Sequence, residues 1–201
     1  MKLKCLLALL TLLPSALYAQ WKNVGCAEYN WGPFHVYTVN LATETGTYQQ
    51  GQFPLMLSFR YEKPVEGKAF AISLVKELEG INSDKAQTDH WVKVLQELFP
   101  DFNPNDLLTY VALPDHGYFI VNDVILDHDF GQEFNQAFVN IWLSEKSNFS
   151  QLQPQLFGKE PSKHSPDEFK LPVKSELVTE DDADPQLPPN FQFSDLSSDE
   201  S

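Results

Sequence analysis

The sequence predicts an α+β domain in which a large, mainly antiparallel sheet carries its helices together on one face. Runs of aromatic and β-branched residues, separated by turn residues, occupy both ends of the domain and predict strands. Two helical patterns lie between these runs and a third follows them. Strands that come in hairpin-connected runs favour antiparallel pairing, and grouped helices favour one layer packed on the sheet.

The first residues have the three-part pattern of a secretory signal. Lys2 and Lys4 give a positive start, an apolar run covers residues 5–13, and Ala19 ends a short cleavage region. The run is too short to span a bilayer as a permanent helix, and no later segment is long and apolar enough to do so. We therefore expect residues 1–19 to be a cleaved signal peptide and the protein to be periplasmic or secreted.

The balance of charge limits the possible partners. The chain has a formal net charge of −14, and loss of residues 1–19 removes two lysines and no acid. Such an acidic surface argues against nucleic acid and anionic lipid as partners. Cys26 is the one cysteine of the mature chain, so no internal disulfide forms and residues 20–158 must be held together by an ordinary core.

The composition changes after residue 158. Residues 159–201 are rich in acids, proline and serine. A segment of this kind cannot bury enough apolar surface to offset its conformational entropy. We predict a disordered acidic tail, which could recruit a basic protein partner.

The strands are predicted from residue type and alternation. In the third strand, alternation places Leu55, Leu57, Phe59 and Tyr61 on one face and residues 56, 58 and 60 on the other. Turn residues delimit each of the other strands. The predicted strands are 24–31, 34–41, 53–61, 107–113, 118–121 and 124–126.

The helices are predicted from apolar spacing. The first covers residues 66–79, and a short helix is predicted over 149–157. The second begins at Ser83 or Asp84, either of which can serve as the N-cap. The third begins near Asp129, the predicted cap, and carries a wide apolar stripe.

No catalytic motif is present in the sequence. A nucleophile elbow, a phosphate-binding glycine loop and a paired-histidine helix are all missing. His116 beside Asp115, and His128 between two aspartates, have the side chains of a metal site. The first pair lies in a predicted turn and the second at a predicted helix cap, so we expect no metal and no cofactor.

Six segments of the domain, in chain order, match short patterns of one family. They are Val24-Gly25, Val36-Tyr37 (VYDA in the family), Leu57 to Tyr61 (LxLxY), Leu98 to Asp101 with Asp106 (LFPDVKxGD), Gly117 to Asp123 (xxFYxNG), and Phe134 to Ser144 (FAxAFFxIWLG). On these segments, residues 24–158 resemble a bacterial family of exported chalcone-isomerase-like proteins.

The resemblance implies an open-faced β-sandwich with a cleft between the sheet and the helices. Plant chalcone isomerases close a flavanone ring in that cleft, and related proteins hold a fatty acid there without catalysis. The plant enzymes use an early arginine and a threonine just before the segment matched by Val36-Tyr37. Gly32 stands at the threonine position, and no arginine precedes Arg60 in the mature chain. The resemblance therefore favours a protein that is not an enzyme.

The leading hypothesis is a binding protein for a small apolar acid such as a fatty acid. Arg60, the only arginine, is expected to pair with the carboxylate because a guanidinium fork suits that group. Tyr37 and Tyr110 are expected to help bind the ligand. Two alternatives stay open: a lyase or isomerase acting on an enone-like substrate, with Tyr110 or His116 as proton donor, and an envelope interaction module that uses the acidic tail.

Overall fold

The six strands form an antiparallel sheet in which each strand pairs with the next along the chain. The computed structural model describes residues 21–81 and 84–169, so the predicted signal peptide and residues 170–201 lie outside the described residues. The strands are β1 (Lys22–Trp31), β2 (Phe34–Thr43), β3 (Leu55–Tyr61), β4 (Leu107–Ala112), β5 (His116–Val121) and β6 (Val124–Gly131). The prediction of an antiparallel sheet is confirmed.

The helices occur in two regions of the chain, one between two strands and one after the last strand. The chain forms α1 and α2 between β3 and β4, and it forms α3 and α4 after β6. Their bounds are α1 (Gly67–Ile81), α2 (Lys85–Leu98), α3 (Gln132–Leu143) and α4 (Gln153–Leu156). Asp84 is the N-cap of α2, and its side chain accepts a hydrogen bond from Gln87 N, as the sequence allowed. The α+β class is therefore confirmed.

The alternation of β3 decides which face of the sheet meets the helices. Leu55, Leu57, Phe59 and Tyr61 are buried in one core with the apolar faces of α1, α2 and α3. Met56, on the other face, belongs to a smaller apolar cluster. Because the helices bury the wider apolar surface, the main core lies between them and one face of the sheet.

The third helix begins later than predicted. Asp129 is not its cap: it pairs with Tyr118 within β6, which continues to Gly131. Gly131, which has no side chain to form a capping hydrogen bond, occupies the N-cap position. Pairing of β6 with β5 therefore extends the strand through residues that were predicted to start the helix.

The first part of the predicted tail is ordered against the sheet. Residues 159–169 lie over β1 to β3 on the face opposite the helices, where Asn23 Nδ2 donates to Pro166 O at 2.9 Å and Cys26 Sγ donates to His164 O at 3.1 Å. Ser165 and Glu168 form a capping box, and Phe169 is only 3% exposed. The domain therefore extends at least to residue 169 instead of ending at 158. The composition of the whole segment concealed this local capping and burial.

Candidate functional site

A cavity of about 560 Å³ lies between the sheet and the helices. This volume is within the range of small-molecule sites, roughly 300–1,000 Å³. Its walls come from β1, β2, β3, α1, α3 and Phe149, and they are mainly aromatic and aliphatic. Trp31, at the end of β1, belongs to the lining and is 72% exposed, so it stands at the rim. The interior suits an apolar ligand.

The floor of the cavity contains a pair of tyrosines. Tyr37 on β2 and Tyr61 on β3 are directly opposite each other in the sheet register, and their ring centroids are 6.2 Å apart. The Tyr37 ring also stacks on Tyr29 at 4.8 Å. Trp142 Nε1 of α3 donates to Tyr37 Oη at 3.3 Å, which fixes the Tyr37 hydroxyl between sheet and helix. These contacts connect β1, β2, β3 and α3 at the floor of the cavity.

The Tyr61 hydroxyl is buried and has no hydrogen-bond partner among the described residues. A buried polar group without a partner is unfavourable by about 1–3 kcal/mol. Tyr61 borders the cavity, and a small movement that opens its buried hydroxyl to the cavity would let a polar atom of a bound molecule satisfy it. Burial raises the pKa of both Tyr37 and Tyr61, which keeps the two hydroxyls protonated and able to donate.

The described lining carries an acid and no lysine or arginine. Glu77 of α1 contributes the carboxylate, and Asn148 Nδ2 donates to its Oε2 at 2.8 Å. A ligand carboxylate inside the cavity would be close to a like charge and without a cation to offset its desolvation. The arrangement therefore suits a neutral polar group better than an ionised one.

Arg60, the expected carboxylate anchor, lies away from this cavity. It faces Thr38 in the sheet register, one residue along from the tyrosine pair, and so points to the opposite face. Its Nη2 donates to Glu168 Oε2 at 3.0 Å and its Nε to Glu62 Oε1 at 3.4 Å. Arg60 therefore binds the segment after α4, and the expectation that it holds a ligand in the sheet–helix cleft is corrected.

Tyr110 is also separate from the cavity lining. It is fully buried in β4 and donates a hydrogen bond to Asn135 Oδ1 of α3. Asn135 Nδ2 in turn donates to Leu113 O at 2.8 Å and His116 O at 2.7 Å. Tyr110 therefore helps to fasten α3 to the β4–β5 turn. Of the three residues predicted to bind a ligand, only Tyr37 lines the cavity.

Tyr61 and Trp142 line the cavity but were not among the residues predicted to bind a ligand. The alternation of β3 could have identified Tyr61, because it shares its face with the buried Phe59. The sequence places Trp142 on the apolar stripe of the third helix and leaves open whether it fills a cleft, since spacing along a helix does not show which of its residues border a cavity. Its contact with Tyr37 joins residues 105 positions apart.

Sequence comparison connects this chain to one known protein. It is 54% identical over 192 residues to an uncharacterized protein of Haemophilus influenzae, and the match covers 95% of each chain. The chain belongs to the family of that protein. No family model matches it. At this identity we expect members of the family to share the sheet, the helices and the cavity described above.

The histidines predicted as possible metal ligands are not brought together. His116 Nδ1 bonds Asp115 Oδ1 at 2.8 Å, and this hydrogen bond lowers the pKa of the Asp115 carboxyl. His128 packs edge-on against Phe130 at 4.6 Å. A different set, Glu28, His35 and His164, is gathered on the face of the sheet that carries Arg60.

Proposed function

We propose that this protein is an exported, chalcone-isomerase-like binding protein that holds a small, largely apolar molecule in the sheet–helix cavity. The observation that carries the proposal is the cavity itself, with its aromatic walls and the unpartnered Tyr61 hydroxyl. Sites for small molecules have this composition, with an apolar lining and a few polar groups that orient the ligand.

The arrangement of elements supports the chalcone-isomerase-like part of the proposal. An antiparallel sheet with helices over one face and a cleft between them is the architecture that the resemblance implies. Two of the matching segments border the cleft: Leu57 to Tyr61 is part of β3, and Phe134 to Leu143 is part of α3.

The proposed ligand has a neutral hydrogen-bonding group. The fatty acid expected from the sequence depended on Arg60, which binds Glu168 on the other face of the sheet. In the cavity, the polar groups of the lining include the hydroxyls of Tyr29, Tyr37 and Tyr61, together with Ser73 and Glu77. We therefore favour a neutral lipid-like or phenolic molecule, whose polar atom would accept a hydrogen bond from Tyr61.

Binding is favoured over catalysis. Enone cyclisation needs a group that stabilises the developing enolate, and the described lining offers neutral tyrosines and the acidic Glu77 for this purpose. Tyr110 and His116, the proton donors of the isomerase hypothesis, are not lining residues. A spectral scan with a hydroxychalcone tests that alternative directly, and turnover above the buffer rate would revive it.

The binding proposal is tested with two probes that differ in one group. Lauryl alcohol and lauric acid have the same chain, so calorimetric titration with each separates apolar burial from head-group preference. We expect the alcohol to bind more tightly than the ionised acid, because Glu77 repels a carboxylate. Tighter binding of the acid would contradict the proposed neutral ligand. Mass spectrometry of an organic extract of the purified protein would identify a native ligand.

A matched pair of variants shows where the probe binds. Ala69 lines the cavity from the exposed side of α1, and Ile72 lies on the same helix outside the lining and is 45% exposed. Ala69→Trp should fill the space and weaken binding at least about tenfold, a difference of about 1.4 kcal/mol. Ile72→Trp should bind as the wild type does. Equal binding by both variants would show that the cavity is not the site.

Export and the tail are tested separately. N-terminal sequencing of the protein recovered from a periplasmic fraction should begin at Gln20. Affinity capture with a peptide of residues 170–201 would detect a basic partner, as the interaction-module alternative requires.

A further inference from the structure

Glu28, His35 and His164 form a compact set of metal-binding side chains. One ligand atom from each lies within 4.8 Å of the others, and all three residues are partly buried. They come from β1, from β2 and from the segment after α4, so the fold and not sequence spacing brings them together. The set lies on the face of the sheet opposite the cavity.

One distance in this set already matches the spacing of ligands around a metal ion. His164 Nε2 is 3.1 Å from Glu28 Oε1. Zinc bonds to imidazole nitrogen and carboxylate oxygen are about 2.0–2.2 Å long, so neighbouring ligands in a tetrahedron are about 3.3 Å apart. The His35 and His164 rings stack with their centroids 5.6 Å apart, so the two imidazoles are neighbours. Small movements of these side chains would complete the geometry.

Both imidazoles also have outer partners. Thr38 Oγ1 lies 3.1 Å from His35 Nε2. Glu168 Oε2 lies 3.5 Å from His164 Nδ1, and Arg60 Nη2 lies 3.4 Å from the same nitrogen. Metal-ligating histidines usually bond a carboxylate, carbonyl or hydroxyl through the nitrogen that does not face the metal, and this fixes the ring. The contact of His164 with Glu168 has the form of such a carboxylate–histidine pair.

The local charge is compatible with a divalent cation. Glu28, Glu62 and Glu168 surround the set, together with the cations Arg60 and Lys163. With neutral imidazoles, these five groups sum to one negative charge. Lys163 Nζ contacts Glu28 Oε2 at 2.9 Å, but this side chain is 81% exposed and can move into solvent when a cation binds Oε1. Arg60 is held by the other two acids.

We propose that Glu28, His35 and His164 bind a divalent transition-metal ion, with zinc the best match, which fastens the segment after α4 to the sheet. Two imidazoles and one carboxylate are a familiar zinc ligand set, with a fourth position left for water. This proposal is independent of the cavity and of any ligand bound there. It gives His164 a role that the acidic sequence around it did not suggest.

The test is titration of the purified, chelator-treated full-length protein with Zn²⁺ alone. Calorimetry should show saturable binding of one ion per chain, and Co²⁺ should give the intense visible absorption of a tetrahedral complex. His164→Gln and Glu28→Gln should abolish both signals. His128→Gln, which changes an exposed histidine outside the set, should bind as the wild type does.

Two further measurements separate a metal site from a simple ion-pair cluster. Thr38→Val keeps the shape of a buried side chain and removes the outer partner of His35, so zinc affinity should fall by roughly tenfold or more. Hydrogen exchange should show that Zn²⁺ protects amides 159–169 in the wild type and not in His164→Gln. The proposal is overturned if the wild type shows no saturable binding, or if His164→Gln binds Zn²⁺ unchanged.

Discussion

Arg60 and Glu168 form an ion pair of 3.0 Å that joins the middle of the sheet to the segment after α4. The Arg60 guanidinium also lies over the Phe169 ring, 5.1 Å from its centroid. The Arg60 side chain is about one-fifth exposed, so both contacts are partly shielded from water. These two contacts make the segment part of the folded domain.

Phe169→Ala should destabilise the protein by about 3 kcal/mol, at the lower end of the usual range for a buried phenylalanine. The ring is 3% exposed, and its removal leaves a gap beneath Arg60. Urea unfolding followed by tryptophan fluorescence measures the free energy of unfolding.

Phe34→Ala is the matched control for this substitution. Phe34 is 56% exposed at the β1–β2 turn, so its loss should change the free energy of unfolding by less than about 0.5 kcal/mol. If Phe169→Ala were equally harmless, the segment after α4 would contribute nothing to stability.

A chain that ends at residue 158 should melt roughly 5–10 °C below the wild type. This truncation removes Phe169, the partner of Arg60 and the backbone that accepts from Cys26 Sγ. The Cys26 side chain is fully buried, and burial raises the pKa of its thiol. Truncation should therefore also speed labelling of Cys26 by a thiol reagent, which mass spectrometry detects.

A chain that ends at residue 172 keeps all of these contacts and is the control. The sequence predicts disorder for the acidic residues beyond it, so its melting temperature should match that of the wild type. Equal melting temperatures for the two truncated chains would contradict a structural role for residues 159–169.

The face of the sheet that carries Arg60 could have been predicted from the sequence. Alternation along β3 assigns Arg60 and Phe59 to opposite faces, and helices pack on the apolar face. A cleft between sheet and helices must therefore lie on the side of Phe59 and Tyr61. The chemistry of the guanidinium suggested a carboxylate ligand, but the strand geometry directs that side chain away from the cleft.

The grouping of Glu28, His35 and His164 could not have been predicted from the sequence. His164 contacts β1 across more than 130 residues, and a local pattern cannot predict contacts at that separation. Residues 159–201 were judged by their average composition, in which acids and prolines outweigh three phenylalanines. Burial of Phe169 and the capping box of Ser165 are local effects that such an average does not contain.

Tyr61→Phe and Tyr110→Phe should differ in their effect on stability, although each removes one buried hydroxyl. Tyr110 Oη donates to Asn135, and its loss leaves a buried amide oxygen without its donor, at a cost of about 1–3 kcal/mol. Tyr61 Oη has no partner among the described residues, so its loss should leave stability unchanged or raise it by about 1 kcal/mol. Thermal unfolding of the ligand-free proteins compares the two.

The same two variants separate an effect on folding from an effect on ligand binding. Tyr61→Phe should weaken lauryl alcohol binding, because it removes the proposed donor in the cavity. Tyr110→Phe should bind as the wild type does at a temperature where it is folded, because Tyr110 is outside the lining. Loss of binding in Tyr110→Phe alone would place the ligand elsewhere in the core.

Asp106→Asn should reduce stability at neutral pH and have little effect in acid. The Asp106 carboxylate accepts from Asn103 N at 2.6 Å and from Asn122 Nδ2 at 2.8 Å, which fixes the loop before β4 against the β5–β6 turn. These hydrogen bonds, the one from Asn103 N first, hold the pKa of Asp106 below its ordinary value. The native state is therefore stabilised when Asp106 is ionised.

The sign of the pH dependence follows from that lowered pKa. The contribution of Asp106 is complete above its unfolded pKa, about 4, and is lost as the pH falls through the lower pKa of the folded state. Because Asp106 is partly exposed, we expect the wild type to exceed Asp106→Asn by only about 1 kcal/mol at neutral pH. Denaturant unfolding from pH 7 down to acid should show the difference shrinking towards zero. A constant difference for Asp106→Asn would mean that shape, not charge, explains the effect.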